Sequence, residues 1–193
     1  LMFFKDDAIS VKLLEALRQL EWLECRNIDI PAVEMSGAHR TTVSSVEAHR
    51  FHQKWVDERS SEYFPDVLRV LLNGREREER YSDALNGIDE AYEAMAHALD
   101  DVQLIITPTV LELPPRIDDV IGNEFAYRRL LAITSVFNAT RTPSISIPIA
   151  VHGGFPVSVM INCDRGKDAF LLEVAERLEN EVNNMGRQNS SKK

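Results

Sequence analysis

Residues 135–161 read SVFNATRTPSISIPIAVHGGFPVSVMI, and this stretch decides the fold. It holds two apolar segments, residues 145–149 and 157–161, and a proline stands shortly before each of them. Gly153 and Gly154 lie between the segments and supply the positive φ of a tight turn. The segments hardly alternate between polar and apolar residues, which predicts two strands that are buried on both faces. Such strands need helices above and below them, or further strands alongside.

The rest of the chain is rich in helical patterns and poor in strands. Apolar residues at helical spacing predict helices over residues 9–23, 44–58, 63–72, 76–101, 124–136 and 166–182. Short strands are expected at residues 27–33 and 102–106, which makes about four strands in all. A mean sheet has about 5–6 strands. The sequence therefore predicts a helix-rich α/β fold over residues 1–183 with few strands of its own, and the missing strands could come from elsewhere. We expect a polar, disordered tail over residues 184–193.

Composition excludes several classes of function. The chain has 193 residues, 44% of them hydrophobic, which is enough for one core. The net charge of −9 argues against a nucleic-acid surface, which is usually basic. No apolar run approaches the ~20 residues that cross a bilayer.

The cysteines and the first residues indicate where the protein is located. Cys25 and Cys163 lie far apart in sequence and form no C-x-x-C motif, which favours two reduced thiols in a cytoplasmic protein. The first residues do not resemble a secretory signal. Because Leu1 precedes Met2 and a helical pattern follows almost at once, we expect this chain to be one piece of a longer polypeptide.

Two motifs suggest catalysis, but the further groups that each would need are absent from the sequence around them. Residues 41–45, TTVSS, could carry a serine nucleophile, yet no glycine stands beside Ser44 or Ser45 to form an oxyanion hole. We interpret them as the N-cap of a helix. His49 and His52 are three residues apart and could share a metal, but the H-E-x-x-H spacing is absent and a third ligand is not evident. We expect no metal and no other cofactor.

Thr107-Pro108-Thr109 is the more informative motif. It follows a buried strand, at the edge of an α/β sheet where ligands bind. Pro108 can end the strand and leave both threonine hydroxyls facing a cleft. A plain exit from strand to loop explains the motif equally well.

The order of four segments resembles the C-terminal half of the amidase signature family. These segments are SVEAHRFHQKW and its continuation to residue 85, then DDVQLIITPTV, then residues 134–161, then DAFLLEVAERLE. The third segment resembles the family pattern F-N-x-T-G-x-P-x-x-S-x-P, in which Asn138 matches the asparagine and Pro143 and Pro148 match the prolines. The resemblance covers about residues 3–181, and it implies an α/β fold in which the chain forms part of a mixed β-sheet covered by helices.

The resemblance implies a hydrolase of amide bonds or, in some members, an ammonia-donating amidotransferase subunit. The family's catalytic lysine and two serines lie in an N-terminal half that contains G-G-S-S-G-G-S, and this chain has no such segment. No catalytic residue is therefore assigned. The chain would supply sheet, helices and a substrate-pocket wall near Thr107, Thr109 and Asn138. The implied partners are a small amide substrate and the missing half or a partner chain; a homodimer would also be compatible.

The sequence also departs from the family pattern. Arg141 stands where the family has glycine, and Ser158 and Met160 replace the glycine and glutamine of G-x-P-x-G-x-Q. If that first glycine has positive φ, arginine there is strained. These departures keep a second hypothesis open, a non-catalytic interaction or regulatory module descended from an amidase. A third hypothesis is a metal hydrolase that uses His49 and His52.

Overall fold

A computed structural model describes residues 8–190 of the chain, without the side chains of Glu124 and residues 186–190. Eight α-helices and three β-strands lie in this part. The helices are α1 (Ala8–Leu17), α2 (Ser36–Arg59), α3 (Pro65–Glu76), α4 (Tyr81–Asp101), α5 (Ile117–Val120), α6 (Glu124–Leu130), α7 (Thr134–Thr140) and α8 (Asp168–Ser190). The strands are β1 (Ile105–Pro108), β2 (Ser144–His152) and β3 (Phe155–Asn162). Three short 3-10 helices connect them, at Pro31–Val33, Ser60–Glu62 and Glu78–Arg80.

The three strands form one antiparallel sheet in the order β1-β3-β2. Gly153 and Gly154, with φ of 57° and 82°, form the turn between β2 and β3, as predicted from the sequence. The register pairs Thr107 with Met160 and Ser146 with Met160, so the same residue of β3 has a neighbour on each side. A β-bulge interrupts β2 between Pro148 and Ala150.

Helices cover both faces of this sheet, which confirms the predicted α/β class. On one face α1 and α8 pack against β2 and β3, and the shared core contains Leu13, Leu171 and Val159. On the other face α4 and α7 bury Met95 and Phe137 against β1 and β3. The prediction of burial on both faces holds for β3, the central strand. It is wrong for β2, whose Ser144, Ser146 and Pro148 are exposed because no further described strand or helix covers them.

The helices α2 and α3 approach each other very closely. At Gly74 of α3, an added Cβ would lie 2.0 Å from the carbonyl oxygen of Ser45 and 2.9 Å from Cβ of His49. Only a residue without a side chain fits there. α2 also packs against α4 and α7, and it thereby connects α3 to the core that contains Met95 and Phe137.

Residues 27–33 do not form the predicted strand. Pro31 begins a 3-10 helix, and residues 23–30 belong to none of the described strands. The predicted alternation is nevertheless present, since Ile28 and Ile30 are partly buried while Asn27 and Asp29 are exposed. The described part therefore contains three strands rather than about four.

Three helix predictions also change. The hydroxyls of Ser44 and Ser45 donate to carbonyls of Thr41 and Thr42 inside α2, which begins at Ser36, so they do not cap a helix. Residues 124–136 are divided between α6 and α7, because the chain turns to bring the apolar residues of α7 into the core. The last helix, predicted over residues 166–182, extends to Ser190 as α8. The expected boundary at residue 183 stays a prediction, and residues 191–193 lie outside the described part.

No helix in the described part is long and apolar enough to cross a membrane.

Candidate functional site

Hydroxyl groups from all three strands lie on one face of the sheet. Because side chains alternate along a strand, the register places Thr107 and Ser146 on the same face as Met160, with Ser158 two residues away on that face. Thr109 follows β1 and stays attached to the sheet, since its backbone N–H donates to the carbonyl oxygen of Ser158 at 2.9 Å. Thr109, the residue that follows β1, therefore lies on this same face of the sheet.

The hydroxyls of Thr109 and Ser146 are hydrogen-bonded to each other. Their oxygen atoms lie 2.7 Å apart, and the contact spans the central strand β3. Each hydroxyl keeps further hydrogen-bonding capacity, because a hydroxyl can donate one bond and accept two. The pair can therefore hold a polar group that approaches this face of the sheet.

Thr107 has a different environment from Thr109. Its side chain is only 1% exposed, and its hydroxyl has no hydrogen-bond partner among the described residues. An unpaired buried hydroxyl costs about 1–3 kcal/mol, and such groups in native proteins usually have a partner. The hydroxyl of Thr107 is thus available to a group that the described residues do not provide.

Thr107 lies at a cleft of about 460 Å³ beside β1. The cleft is bounded by β1 itself, by the end of α1 and by residues 23–28. Its lining is mostly apolar and includes Leu14, Leu17, Met95 and Phe137. Neither Thr109 nor Asn138 lines it. The structure therefore brings the two threonines to one face of the sheet but gives only Thr107 a place in the cleft.

Asn138 is exposed on α7, whose other residues are largely buried. Arg165 fixes the C-terminal end of this helix: its Nε and Nη2 atoms donate to the carbonyl oxygen of Thr140 at 2.9 and 2.7 Å. The guanidinium carbon of Arg165 also lies 3.3 Å from the ring centroid of Tyr92. No sequence pattern marks Arg165, since it lies in a loop without periodicity. It positions the helix that carries Asn138.

Arg141 adopts the left-handed conformation that its place in the sequence suggested. Its φ and ψ are 55° and 33°, and it ends α7 by donating its backbone N–H to the carbonyl oxygen of Phe137. Among the described residues it is the only one with positive φ that is not glycine. The strain expected from replacing the family's glycine is therefore present.

The two cysteines have raised thiol pKa values. Cys25 lines the cleft, and partial burial there raises the pKa of its thiol. Burial also raises the pKa of Cys163, and the nearby carboxylate of Asp168 raises it further. A raised pKa disfavours the thiolate, so neither cysteine has the features of an activated nucleophile.

His49 and His52 lie in unlike surroundings. Nδ1 of His52 is 2.8 Å from the hydroxyl of Tyr63, within a group of aromatic rings that includes Trp55. His49 is 8% exposed and packs where α2 meets α3. Within residues 8–190, no three His, Cys, Asp or Glu side chains are grouped as metal ligands would be.

Comparison with known proteins identifies the family of the chain. The amidase family model matches residues 8–172. Over 82 residues the chain is 37% identical to a putative amidase, AmiC, of Mycobacterium tuberculosis strain H37Rv, and this covers 39% of the chain and 17% of that protein. Amidase 1 of Arabidopsis thaliana is 24% identical over 138 residues, which is 69% of the chain and 32% of the relative.

A solved amidase structure has the same arrangement of elements. It superposes with a TM-score of 0.77 at 25% identity, covering 88% of this chain and 40% of that structure. The chain spans a third or less of the length of the curated relatives named above. Since the family model matches well over half of the chain and the fold agrees, the chain belongs to the amidase family.

Proposed function

We propose that this chain is the C-terminal portion of an amidase-type hydrolase that cleaves the carbon–nitrogen bond of a small amide. The observation that carries the proposal is the family match over residues 8–172, combined with a sequence that contains no glycine- and serine-rich catalytic segment. The portion contributes sheet, helices and one wall of the substrate pocket. The groups that attack the amide carbonyl lie on polypeptide outside this chain, upstream in the same protein or on a partner.

In this proposal the hydroxyl face of the sheet is the part that meets the substrate. Thr109 and Ser146 offer hydrogen bonds to the polar end of an amide, and Asn138 offers a carboxamide from the exposed side of α7. These groups bind and orient; they do not break the bond. We therefore expect their loss to raise KM more than it lowers kcat.

The test is ammonia release from a panel of simple amides. The chain is assayed alone and then mixed with the N-terminal portion of Arabidopsis thaliana Amidase 1, the part that its alignment with this chain leaves uncovered. We expect no activity from the chain alone and measurable activity from the mixture. Activity from the chain alone would contradict the proposal, because it would require a nucleophile within these 193 residues.

Substitutions then examine the pocket wall in the active mixture. Thr109→Val and Asn138→Ala should each raise KM about 5- to 30-fold, the effect of losing a hydrogen bond worth about 1–2 kcal/mol. Ser44→Ala is the control, because the hydroxyl of Ser44 is exposed and bonds within α2. Unchanged KM values for both test variants would exclude these residues from the site.

The second candidate is a non-catalytic interaction or regulatory module descended from an amidase. The strained arginine at position 141, where the family has glycine, is the observation that favours it. A degenerate module would bind the complementary portion without activity. Complex formation in the mixture, measured by analytical ultracentrifugation, with no ammonia release from any amide would support this candidate over the first.

A further inference from the structure

The second half of α2 exposes a group of aromatic side chains. Phe51 and Trp55, which are 72% and 42% exposed, lie one turn apart on this helix, with their ring centroids 5.6 Å apart. The ring of His52 lies 5.2 and 5.4 Å from these two rings. Tyr63 joins the group through its contact with His52. Large aromatic rings that are exposed together on one helix indicate a surface that contacts another molecule.

This aromatic surface belongs to the helical layer and not to the sheet. The neighbours against which α2 chiefly packs are the helices α3, α4 and α7. The open edges of the sheet, on β1 and β2, lie in another layer of the molecule. Polypeptide that joins the sheet at those edges therefore leaves the exposed side of α2 to a different occupant.

The sequence around Trp55 is complementary to itself when two copies run in opposite directions. If two α2 helices cross antiparallel at Trp55, position 51 of one copy lies opposite position 59 of the other, because each is four residues from the crossing point. Phe51 then meets Arg59 of the second copy in a cation–π contact. By the same symmetry, His52 meets Glu58. All these positions lie on one face of the helix, since they are three or four residues from Trp55.

Arg59 and Glu58 are free to make these contacts. Both are exposed, and neither side chain has an ion pair or a hydrogen bond with any other residue between 8 and 190. His52 also has a nitrogen to offer. The hydroxyl of Tyr63 lies 2.8 Å from its Nδ1 and can donate to it, which leaves the Nε2–H of the ring to donate to a carboxylate.

The exposed aromatic area indicates how strong such a pairing can be. A buried aromatic side chain covers about 150–250 Å², so the exposed parts of Phe51 and Trp55 supply roughly 500 Å² in two copies. The flanking Arg59 and Glu58 add to this area, but the total stays below the ~1,200 Å² that separates stable interfaces from weak ones. We therefore expect a reversible dimer with a Kd in the micromolar range.

We propose that this face of α2 is the contact surface of a twofold dimer, in which a second copy of the chain packs antiparallel on α2 with Trp55 at the crossing point. The twofold axis repeats the contact between Phe51 and Arg59 twice, as isologous interfaces do. A second copy is the occupant because the face itself supplies both members of each contact, the ring and the guanidinium. The dimer is a property of α2 and does not depend on whether amide hydrolysis is found.

Sedimentation velocity over a range of protein concentrations measures the dimer. Phe51→Lys places two cations opposite each other and Arg59→Glu removes the cation, so each should weaken dimerisation at least tenfold. Phe125→Lys is the matched control, because Phe125 is 70% exposed but lies on α6. Arg116→Glu, at an exposed position before α5, controls for the change of charge. Both controls should leave the Kd of the dimer unchanged.

A mixture of the two weakened variants tests the antiparallel geometry. In their heterodimer, the lysine introduced at position 51 of one chain faces the glutamate introduced at position 59 of the other, and the second contact keeps the native Phe51 and Arg59. We expect the equimolar mixture to dimerise at least fivefold more tightly than either variant alone. If circular dichroism shows that Phe51→Lys loses helical structure, the comparison of Arg59→Glu with Arg116→Glu decides instead.

Three results would overturn the proposal. The first is the absence of recovery in the mixture of folded variants, or a chain that stays monomeric at its highest soluble concentration. The second is an equal loss of the dimer in Val151→Lys, which would assign the contact to the open edge of β2. The third is a monomeric chain that binds phosphatidylcholine vesicles and loses this binding in Phe51→Lys, because the occupant would then be a lipid surface.

Discussion

Arg141 carries the clearest local strain in the described part of the molecule. It holds a left-handed conformation that costs a residue with a Cβ atom about 1–2 kcal/mol. Thr142 follows it and is buried, so the chain must turn at this residue to pass from α7 into β2. The positions of α7 and β2 impose this turn, and Arg141 adopts the left-handed conformation despite its free-energy cost.

Arg141→Gly should therefore stabilise the chain. We expect a gain of up to about 1 kcal/mol, since glycine removes the strain but is more flexible in the unfolded chain. The free energy of unfolding is measured by urea denaturation. Arg141→Ala is the matched control, because alanine removes the guanidinium but keeps the Cβ. A gain with alanine equal to that with glycine would show that charge, not backbone strain, is responsible.

The planar guanidinium of Arg165 connects the end of α7 to Tyr92. It donates two hydrogen bonds to the carbonyl oxygen of Thr140 and stacks on Tyr92, whose hydroxyl donates to Asp164 at 3.2 Å. Lysine has the same charge but cannot reproduce the planar stack or the paired donors.

We expect Arg165→Lys to lower the free energy of unfolding by about 1 kcal/mol, because the contact is only partly buried. Arg177→Lys serves for comparison. Arg177 lies over Trp22 at 4.1 Å and pairs with Glu181, but no bond from it to a helix-end carbonyl is present in the described part. Thermal unfolding of both variants should show a smaller loss for Arg177→Lys. Equal losses would mean that stacking alone, without the bonds to Thr140, accounts for the effect.

At the scale of elements, the packing of α2 on α3 depends on Gly74. The two helices approach so closely that an added methyl group would meet backbone atoms of Ser45, which cannot rotate away as a side chain can. The contact sets the distance between the helices and explains why His49 is buried there. Gly87 in α4 is another helical glycine, and the three atoms nearest to its added Cβ all belong to the ring of His39.

Gly74→Ala should destabilise the chain by about 3 kcal/mol or more, because overpacking against backbone forces the helices apart. Gly87→Ala should change the stability by no more than about 1 kcal/mol. The ring of His39 can move aside, and alanine favours a helix over glycine by about 1 kcal/mol. Urea denaturation of the two variants provides the comparison. A similar loss in both would show that the approach of α2 to α3 does not limit the packing.

At the scale of the whole molecule, the described sheet is small and its outer strands are open. β2 and β1 each pair only with β3, so each has an edge without a described strand beside it. Val151 adds to this on β2, where it is 66% exposed. Open edges with exposed apolar residues are sites of association between chains. The chain spans a third or less of its curated relatives, and such open edges are expected when part of a sheet is provided by other polypeptide.

Val151→Lys should slow aggregation of the isolated chain several-fold, since lysine on an edge strand opposes pairing with another strand. Leu172→Lys is the control: Leu172 is 62% exposed, but it lies on α8, away from the edge. Both variants change the net charge by the same amount. Light scattering during incubation at about 37 °C gives the rates, and equal slowing by both would show that charge or exposed apolar area, not the strand edge, drives association.

The sequence by itself determined the elements that local chemistry fixes. The Gly153-Gly154 turn, the burial of β3 and the long helix α4 follow from glycine conformation and apolar spacing. The order of motifs indicated the family, and Arg141 at a glycine position of one motif marked where the backbone would be strained if that glycine had positive φ. The sequence also showed that no catalytic serine segment is present.

Tertiary structure alone decided what depends on distant neighbours. Residues 27–30 have the alternation of a strand but belong to none of the described strands, because alternation requires only one buried face. Thr107 and Thr109 look equivalent in sequence, yet one hydroxyl is buried without a partner among the described residues and the other bonds to Ser146 across the sheet. Hydrogen bonds between residues 37 positions apart leave no trace in local pattern. For that reason only the tertiary structure shows which polar groups have a hydrogen-bond partner among the described residues.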